Sequence, residues 1–505
     1  MIAIDKLTTE QLERFIHIQS IIDRQEDEAR RVVAYRAYYD GEHPILLTDR
    51  QREYIGDLLA TENFTFAHNV SRTVVDKLRE RLEVVGFIVN GESADESGEG
   101  GPDGALAAQL WDWWKSNRMI AEQIRAYRYA IRDGKSYAMV SFDNETRRPD
   151  IVVFPVWDGT SGVTFHRDPE NPKKVLFANR YFYTFDPLSP GETGRLRKTT
   201  YLAHEIRKYK QGGNANGWEP LFDPEDATWP LPWLGWDGKP LGVALVEFAN
   251  PGGSELTQIL GLQNGLNHTW LGLLAAVDAS GFPILAVDYP EGAPIENDSD
   301  ADLTGADELV IGPGRLLEFF NGATSHRIEG ADLTSMIDVI WALVAAISSV
   351  SGTPQYHLRP LGGSDVPSGE ALKMLESALT KRAEERQLFF GQGWGDVMAL
   401  CHRVARTYGK VTAEPSDYPL NINCQWADAE VRNDAVEIAV AEGLKRLNVP
   451  DEIVWSRAGL TPEQIAGART TARNERMAEV AAMASALQLQ AVRTAPQTNP
   501  ATGGA

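Results

Sequence analysis

Apolar residues recur at spacings of three and four over residues 254–277, where Leu256, Ile259, Leu260, Leu266, Trp270, Leu273, Leu274 and Val277 share a phase. That period predicts a helix with one apolar face. Pro251-Gly252-Gly253-Ser254 ahead of it supplies a stop and then an N-cap residue. The same period returns over 332–350 through Leu333, Ile337, Ile340, Val344 and Ile347. Between them, 281–328 reads as a compact insert: β-prone runs at 282–287, 309–311 and 315–320 surround an acidic, turn-rich loop at 290–308. A third helix opens at Ser368-Gly369-Glu370 and is expected to reach Arg406, far beyond the mean length in globular proteins. Gly391, Gly393 and Gly395 mark where it is expected to kink or break.

The rest of the chain is less regular. Residues 8–32 read as a peripheral amphipathic helix, with Leu12, Phe15, Ile16, Ile22 and Val32 among many charges. An aromatic run from Tyr35 ends in turn residues at Asp40-Gly41. Helices are expected at 69–82, 104–116 and 119–133, with an acidic glycine-rich loop at 91–104. From Ser136 the pattern changes to short β-prone runs at 136–142, 150–156, 174–184, 199–209 and 241–248, separated by Pro, Gly and Asp clusters. These read as antiparallel, because strands and helices do not alternate as a dinucleotide-binding sheet requires. Residues 421–426 read as a strand, 430–447 and 461–492 as helices, and 494–505 as a disordered end. The fold class is α+β, predominantly helical.

Composition narrows the function. At 505 residues the chain exceeds one ordinary core, so more than one folding unit is expected. A net charge of -22 argues against a protein that wraps nucleic acid, which would cluster Lys and Arg on phosphates. It is compatible with a wall past which DNA slides. Two cysteines, Cys401 and Cys424, make no disulfide framework and fit a reducing compartment. No signal peptide is read at the N-terminus. The long apolar stretches are interrupted by Gln263, Asn264, Asn267, Asp278 and Asp338, so no clean membrane span is expected.

Several motifs suggest chemistry and fall short of it. Gly134-Lys135-Ser136 resembles the end of a phosphate-binding loop, but Tyr129 stands where the first glycine belongs and a helix precedes it. Gly134 reads instead as a helix C-cap. Asp298, Asp300 and Asp302 alternate like a calcium loop, but Leu303 and Leu309 occupy the positions of its glycine and closing glutamate. The histidines have no zinc spacing, and His402, beside Cys401, reads as a helix-face residue. No nucleophile elbow occurs. Lys373, Lys381, Arg382 and Arg386 alternate with Glu376, Glu384 and Glu385, a mixture expected of a salt-bridged face or subunit interface. Gly261, Gly265 and Gly272 are placed either to let two helices approach closely or simply to soften the helix. No catalytic residue, cofactor or metal is assigned.

The order of these elements resembles the portal, or head-to-tail connector, family of long-tailed bacteriophages. The resemblance rests on Tyr38-Tyr39-Asp40-Gly41, on Asn69 opening a helix with Val75-Asp76, and on Val246-Glu247-Phe248-Ala249-Asn250. It rests further on Ser351-Gly352-Thr353-Pro354 followed by Ser368-Gly369-Glu370-Ala371-Leu372-Lys373. The resemblance implies a wing at 1–250, a two-helix stem at 251–280 and 331–352, and a small α/β clip at 281–330. It implies a tunnel loop at 353–367, a spine helix at 368–410, a strand returning to the wing at 411–429, a helical crown at 430–492 and a disordered tail at 493–505.

It also implies a ring of about twelve copies at one capsid vertex. Double-stranded DNA would pass through it without sequence specificity during packaging and ejection. Terminase, head-completion proteins, and the major capsid and scaffold proteins would be partners, with no membrane. The protein would sit in the virion, and in the host cytoplasm during assembly. Tyr356, His357, Leu358, Arg359, Gly362, Gly363, Ser364 and Asp365 would face DNA, with Arg359 repeated as a belt of charge. Asp298, Asp300, Asp302, Asp307 and Glu308 would form the clip surface for partners. The alternatives are another structural head protein of a phage, and a hydrolase with a non-contiguous site.

Overall fold

The computed structural model describes residues 7–25, 27–44, 67–94, 101–185, 194–212, 217–222, 228–281, 285–288, 324–327, 332–359, 369–409 and 411–430, with Lys445, Arg446, Val454 and Met477. The chain opens with helices α1 (Thr9–Gln25), α2 (Asp27–Asp40) and α3 (Val70–Arg79), then strands β1 (Val84–Val89) and β2 (Glu92–Ser93). Helices α4 (Pro102–Ser116) and α5 (Met119–Asp133) lead into β3 (Lys135–Asp143), β4 (Arg148–Pro155), β5 (Gly162–Arg167), β6 (Val175–Tyr183), β7 (Leu196–Tyr201) and β8 (Glu205–Gln211). Short strands β9 (Trp218–Pro220) and β10 (Leu231–Pro232) precede β11 (Leu245–Ala249). Helix α6 (Leu260–Gly281), β12 (Leu285–Asp288), β13 (Thr324–Arg327), α7 (Leu333–Ser351), α8 (Gln355–Leu358), α9 (Gly369–Tyr408) and β14 (Ile422–Trp426) complete the described elements. The architecture is mixed α+β, as expected.

By packing the chain divides into two units: Met1–Arg30 with Arg79–Gly253 and Thr380–Ala505, and Arg31–Leu78 with Ser254–Leu379. The first holds three antiparallel sheets, ordered β14-β1-β2, β11-β3-β4 and β10-β8-β7-β6-β5 with β9 also on β8. The β-prone run at 199–209 is in fact two paired strands around a turn, because Leu202 N–H returns to the Glu205 carbonyl at 2.9 Å. Strand β5 was not foreseen, while 421–426 does form a strand and pairs with β1. Gly134, at φ +90°, ends α5 just before β3, the C-cap role its sequence suggested. Lys135 pairs with Glu28 at 3.3 Å, so it serves an ion pair.

Aromatic packing fills this unit. Trp394 lies edge-on to Trp114 at 4.9 Å, against Phe248 at 4.4 Å, and donates its indole N–H to the Tyr127 hydroxyl at 2.9 Å. Helix α9 runs unbroken through Gly391, Gly393 and Gly395, which corrects the expectation of a break there. These glycines are sites of close approach. A methyl on Gly393 would stand 2.7 Å from the Phe248 ring, and one on Gly395 would stand 2.5 Å from the Ile422 carbonyl oxygen.

Helix α1 is less peripheral than its charges suggested. Leu12 and Ile16 are buried as expected, but Ile22 is 43% exposed and Asp23 is buried in its place. Asp23 accepts from Thr164, Tyr181 and Asn179 at 2.7, 2.9 and 3.2 Å. Lys198 is fully buried and donates to Ser20 at 2.9 Å. Burial lowers its pKa to about 7, against the opposing pull of Glu13 and Asp23. Each buried charge is bonded, which is the condition for burying one at all.

In the second unit α6 and α7 pack together. Helix α6 starts at Leu260 rather than Ser254; residues 255–259 form turns, and Ser254 Oγ caps the Leu256 N–H at 3.1 Å. A methyl on Gly265 or Gly272 would meet Leu343 or Met336 at 3.8 or 3.9 Å, and one on Gly261 would meet open space. These glycines are therefore not required by close packing. Asp332 caps α7, accepting from Thr334 N–H at 3.0 Å, and Gly352 ends it at φ +65°. Ile340, Val344 and Ile347 are buried, but Ile337 on the same stripe is 40% exposed. By length and composition α7 is apolar enough to cross a membrane, with 17% of its apolar stretch buried. This corrects the expectation of no such segment, because the single Asp338 barely lowers its hydropathy. Strands β12 and β13 pair from Leu285↔Arg327 to Asp288↔Thr324. The expected strands at 309–311 and 315–320, the helices at 430–447 and 461–492, and the chain end lie outside the described residues.

Candidate functional site

The segment expected to face DNA is anchored at its base. Beyond Gly352, Thr353 is buried: its N–H meets Ser351 Oγ at 3.2 Å and its carbonyl accepts from Ser348 Oγ at 2.7 Å. Pro354 fixes the backbone before the single turn of α8. Gln355 is exposed, but the polar atoms of Tyr356 and His357 turn inward. Tyr356 Oη donates to Glu376, and His357 Nε2 bonds Glu376 Oε1 at 2.9 Å. Glu376 lies on α9 and is 3% exposed. Leu358 is buried, while Arg359 is exposed and lays its guanidinium over the Trp341 ring of α7 at 4.3 Å. Of the residues expected to face DNA, the structure brings Tyr356 and His357 together on one carboxylate and leaves Arg359 outermost. Gly362, Gly363, Ser364 and Asp365 lie outside the described residues, as do Asp298, Asp300, Asp302, Asp307 and Glu308.

Glu376 and Trp341 were missed by sequence reasoning. Glu376 sat in a charge run read as a salt-bridged face or subunit interface, and nothing in the spacing linked it to His357. Elsewhere in that run Lys381 pairs with Glu384 at 2.9 Å as expected, whereas Arg386 is buried and bonds Asn250 Oδ1 at 3.2 Å and the Pro251 carbonyl at 3.4 Å.

The early aromatic motif has a defined partner on α6. Tyr38 Oη donates to Asn264 at 2.6 Å, and Tyr39 Oη donates to Asp76 at 2.9 Å. Asn69 caps α3, accepting from Arg72 N–H at 3.1 Å and donating to the Tyr39 carbonyl at 2.9 Å. Gln263 Oε1 accepts from the N–H groups of Val70 and Ser71, and its amide donates to the His68 carbonyl at 2.7 Å. Asn267 accepts from the His68 N–H at 3.1 Å. The three polar residues that interrupt the apolar pattern of α6 are thus its attachment points. Among the described residues no cluster of His, Cys, Asp and Glu could hold a metal ion.

The sequence profile described as "Phage portal protein, SPP1 Gp6-like" matches residues 18–483, and the chain belongs to that family. The portal protein of Mycobacterium phage L5 is 23% identical over 406 residues, covering 77% of this chain and 74% of that one. The portal protein of Mycobacterium phage D29 is 24% identical over 400 residues, covering 75% and 73%. Among solved structures, an HK97 family phage portal protein from Corynebacterium diphtheriae aligns over 71% of this chain and 95% of its own, at 8% identity and a TM-score of 0.32. The neck of a native GTA particle computed with C12 symmetry aligns over 78% and 91%, at 10% identity and a TM-score of 0.36. A portal protein is a structural, non-enzymatic component of the virion, the connector at the capsid vertex. The alternatives of another head protein and of a hydrolase therefore fall.

Proposed function

We propose that the chain works as a ring of twelve copies around a DNA channel, the symmetry stated for the GTA neck. In this reading α6 and α7 form the stem, 281–330 the clip that meets terminase and head-completion proteins, and 353–367 the loop facing DNA. The spine is α9, the wing is built from the sheets, and the crown from 430–492. The acidic clip residues Asp298, Asp300, Asp302, Asp307 and Glu308 would give partners a charged surface.

The observation that carries the ring is the uncovered apolar surface of the helix pair. Val277, Ile337, Val339 and Val350 are each at least 40% exposed, on helices that already pack on each other. A soluble chain leaves such a face bare only where another surface covers it, and copies related by rotation cover it repeatedly. Light scattering at micromolar concentration, with class averages from electron microscopy, is the test. Closed rings are expected; a stable monomer would overturn the reading. Replacing Asp298, Asp300 and Asp302 with Asn should weaken terminase or connector binding and leave the ring intact.

A further inference from the structure

The sheet built from β6, β7 and β8 carries an ordered basic face. Cross-strand pairing sets Arg180, Thr199 and Lys208 in one row, and Phe182, Arg197 and Lys210 in the next. Side chains two apart on a strand share a face, so both rows lie on the face opposite Lys198 and α1. Over this face lies a cavity of about 750 Å³. Its far side is apolar and aromatic: Met139, Phe142, Trp233 and Tyr408. Trp233 stacks on Tyr408 at 26° and is fixed by its indole N–H to the Gly242 carbonyl at 2.8 Å. Tyr201 spans the two sides, its hydroxyl on Met139 Sδ at 3.1 Å.

The charge of this cavity opposes that of the chain. The side chains of Arg180, Arg197 and Lys208 line it, and no carboxylate does among the described residues, although Asp and Glu outnumber Lys and Arg 71 to 49. Arg180 faces aromatic rings and the Tyr201 hydroxyl rather than an acid, over Phe154 at 4.2 Å and Phe182 at 4.7 Å. A cation held against rings keeps its N–H edge for an anion, and a volume of this size suits a small ligand. Basic groups on one wall and flat rings on the other match a planar ring joined to a phosphate.

We propose that this cavity binds a nucleotide unit, its phosphate on Arg180 and Lys208 and its base against the Trp233–Tyr408 side. The site is separate from the loop at 353–367 and from Gly134-Lys135-Ser136. The shared chemistry has two sources, a free nucleotide and a nucleotide of a single strand.

Calorimetric titration of the full-length protein with dAMP tests it, with inorganic phosphate, a short single-stranded oligonucleotide and a poly-glutamate peptide as competitors. Saturable dAMP binding is expected, weakened about tenfold or more by Arg180→Gln or Lys208→Gln and unchanged by Lys239→Gln on the exposed surface. Tyr408→Leu should weaken dAMP while leaving any residual phosphate affinity unchanged, which a purely electrostatic site would not show. Displacement by the oligonucleotide would assign the strand as source, and its failure the free nucleotide. Absence of dAMP binding would overturn the proposal, as would phosphate or poly-glutamate binding as tightly as dAMP. Thermal melting of each variant confirms that it folds.

Discussion

Asn267 donates its side-chain amide to Nδ1 of His43 at 2.7 Å, while His43 Nε2 faces the Tyr38 carbonyl at 2.8 Å. The carbonyl requires the proton on Nε2, so Nδ1 is the acceptor and the ring is neutral. Asn267 cannot turn over to accept instead, because its oxygen already takes the His68 N–H and the Gln263 amide. A proton on Nδ1 would set donor against donor inside a buried network.

This arrangement predicts acid sensitivity. Burial holds His43 and His68 below the ordinary histidine range, against a smaller opposing effect of the Tyr38 carbonyl on His43. The unfolded chain then takes up protons near pH 6.5 that the folded chain refuses, so stability rises with pH through that window and falls below it. The melting temperature of the full chain should drop as pH is lowered from about 7.5 to about 5.5. In His43→Gln, whose amide can donate to Tyr38 and accept from Asn267 without titrating, the drop should shrink. An unchanged slope would remove His43 from the effect.

Glycine-to-alanine changes in two helices should have opposite signs. Helix propensity alone favours alanine by about 1 kcal/mol. In α9 the added methyl of Gly393→Ala or Gly395→Ala meets Phe248 or the Ile422 carbonyl, and overpacking of this kind costs about 1–3 kcal/mol. In α6, Gly272→Ala meets Met336 only at ordinary contact distance and should stabilise by about 0.5–1 kcal/mol. Chemical denaturation of the three variants measures this, and a stabilised Gly393→Ala would contradict the packing described.

What the sequence could show follows from these contacts. The apolar stripes of α6 and α7, the C-cap at Gly134 and the strand at 421–426 were legible because each rests on local periodicity or local backbone preference. The glycines of α9 were misread because a close approach by Phe248 leaves no local signature, whereas a helix breaker does. Nothing in the sequence marks Asp23 and Lys198 for burial, since only the tertiary fold brings Thr164, Tyr181 and Ser20 to them. Gln263, Asn264 and Asn267 were visible as interruptions, but their partners lie near 38–71, far away in sequence. At the candidate loop Tyr356, His357 and Arg359 were legible as unusual residues in a proline-rich joint, and their fastening to Glu376 and Trp341 was not.

His402 makes a third test. It is fully buried, and neither ring nitrogen has a hydrogen-bond partner among the described residues. Burial lowers its pKa, with Glu414 opposing and Arg406 and Arg403 adding to the shift. A polar ring desolvated without compensation costs stability, so His402→Leu should raise the unfolding free energy by about 1 kcal/mol and reduce acid sensitivity further. A loss of stability instead would mean that the ring is satisfied in the folded protein.

The last prediction concerns Glu376, on which Tyr356 and His357 converge. One oxygen of a buried carboxylate receives both donors, so the base of the 353–367 segment is held from α9 as well as by its own local contacts. Removing the carboxylate in Glu376→Ala takes from Tyr356 and His357 the acceptor they share, at a cost of about 1–3 kcal/mol. Glu376→Gln retains an acceptor oxygen and should cost less. If this segment acts on DNA as proposed, the two variants separate positioning from assembly. Both should still form rings, because the exposed apolar residues of α6 and α7 are untouched. In Glu376→Ala, hydrogen exchange at 354–359 should accelerate and the length of packaged or retained DNA should fall, with Glu376→Gln close to the parent. Arg359→Ala should reduce packaged length without changing exchange at Tyr356 and His357, since its contact is the Trp341 ring and not the carboxylate. Unchanged exchange in Glu376→Ala would show that the carboxylate does not hold the segment. Full-length genomes in both Glu376→Ala and Arg359→Ala would remove it from DNA handling.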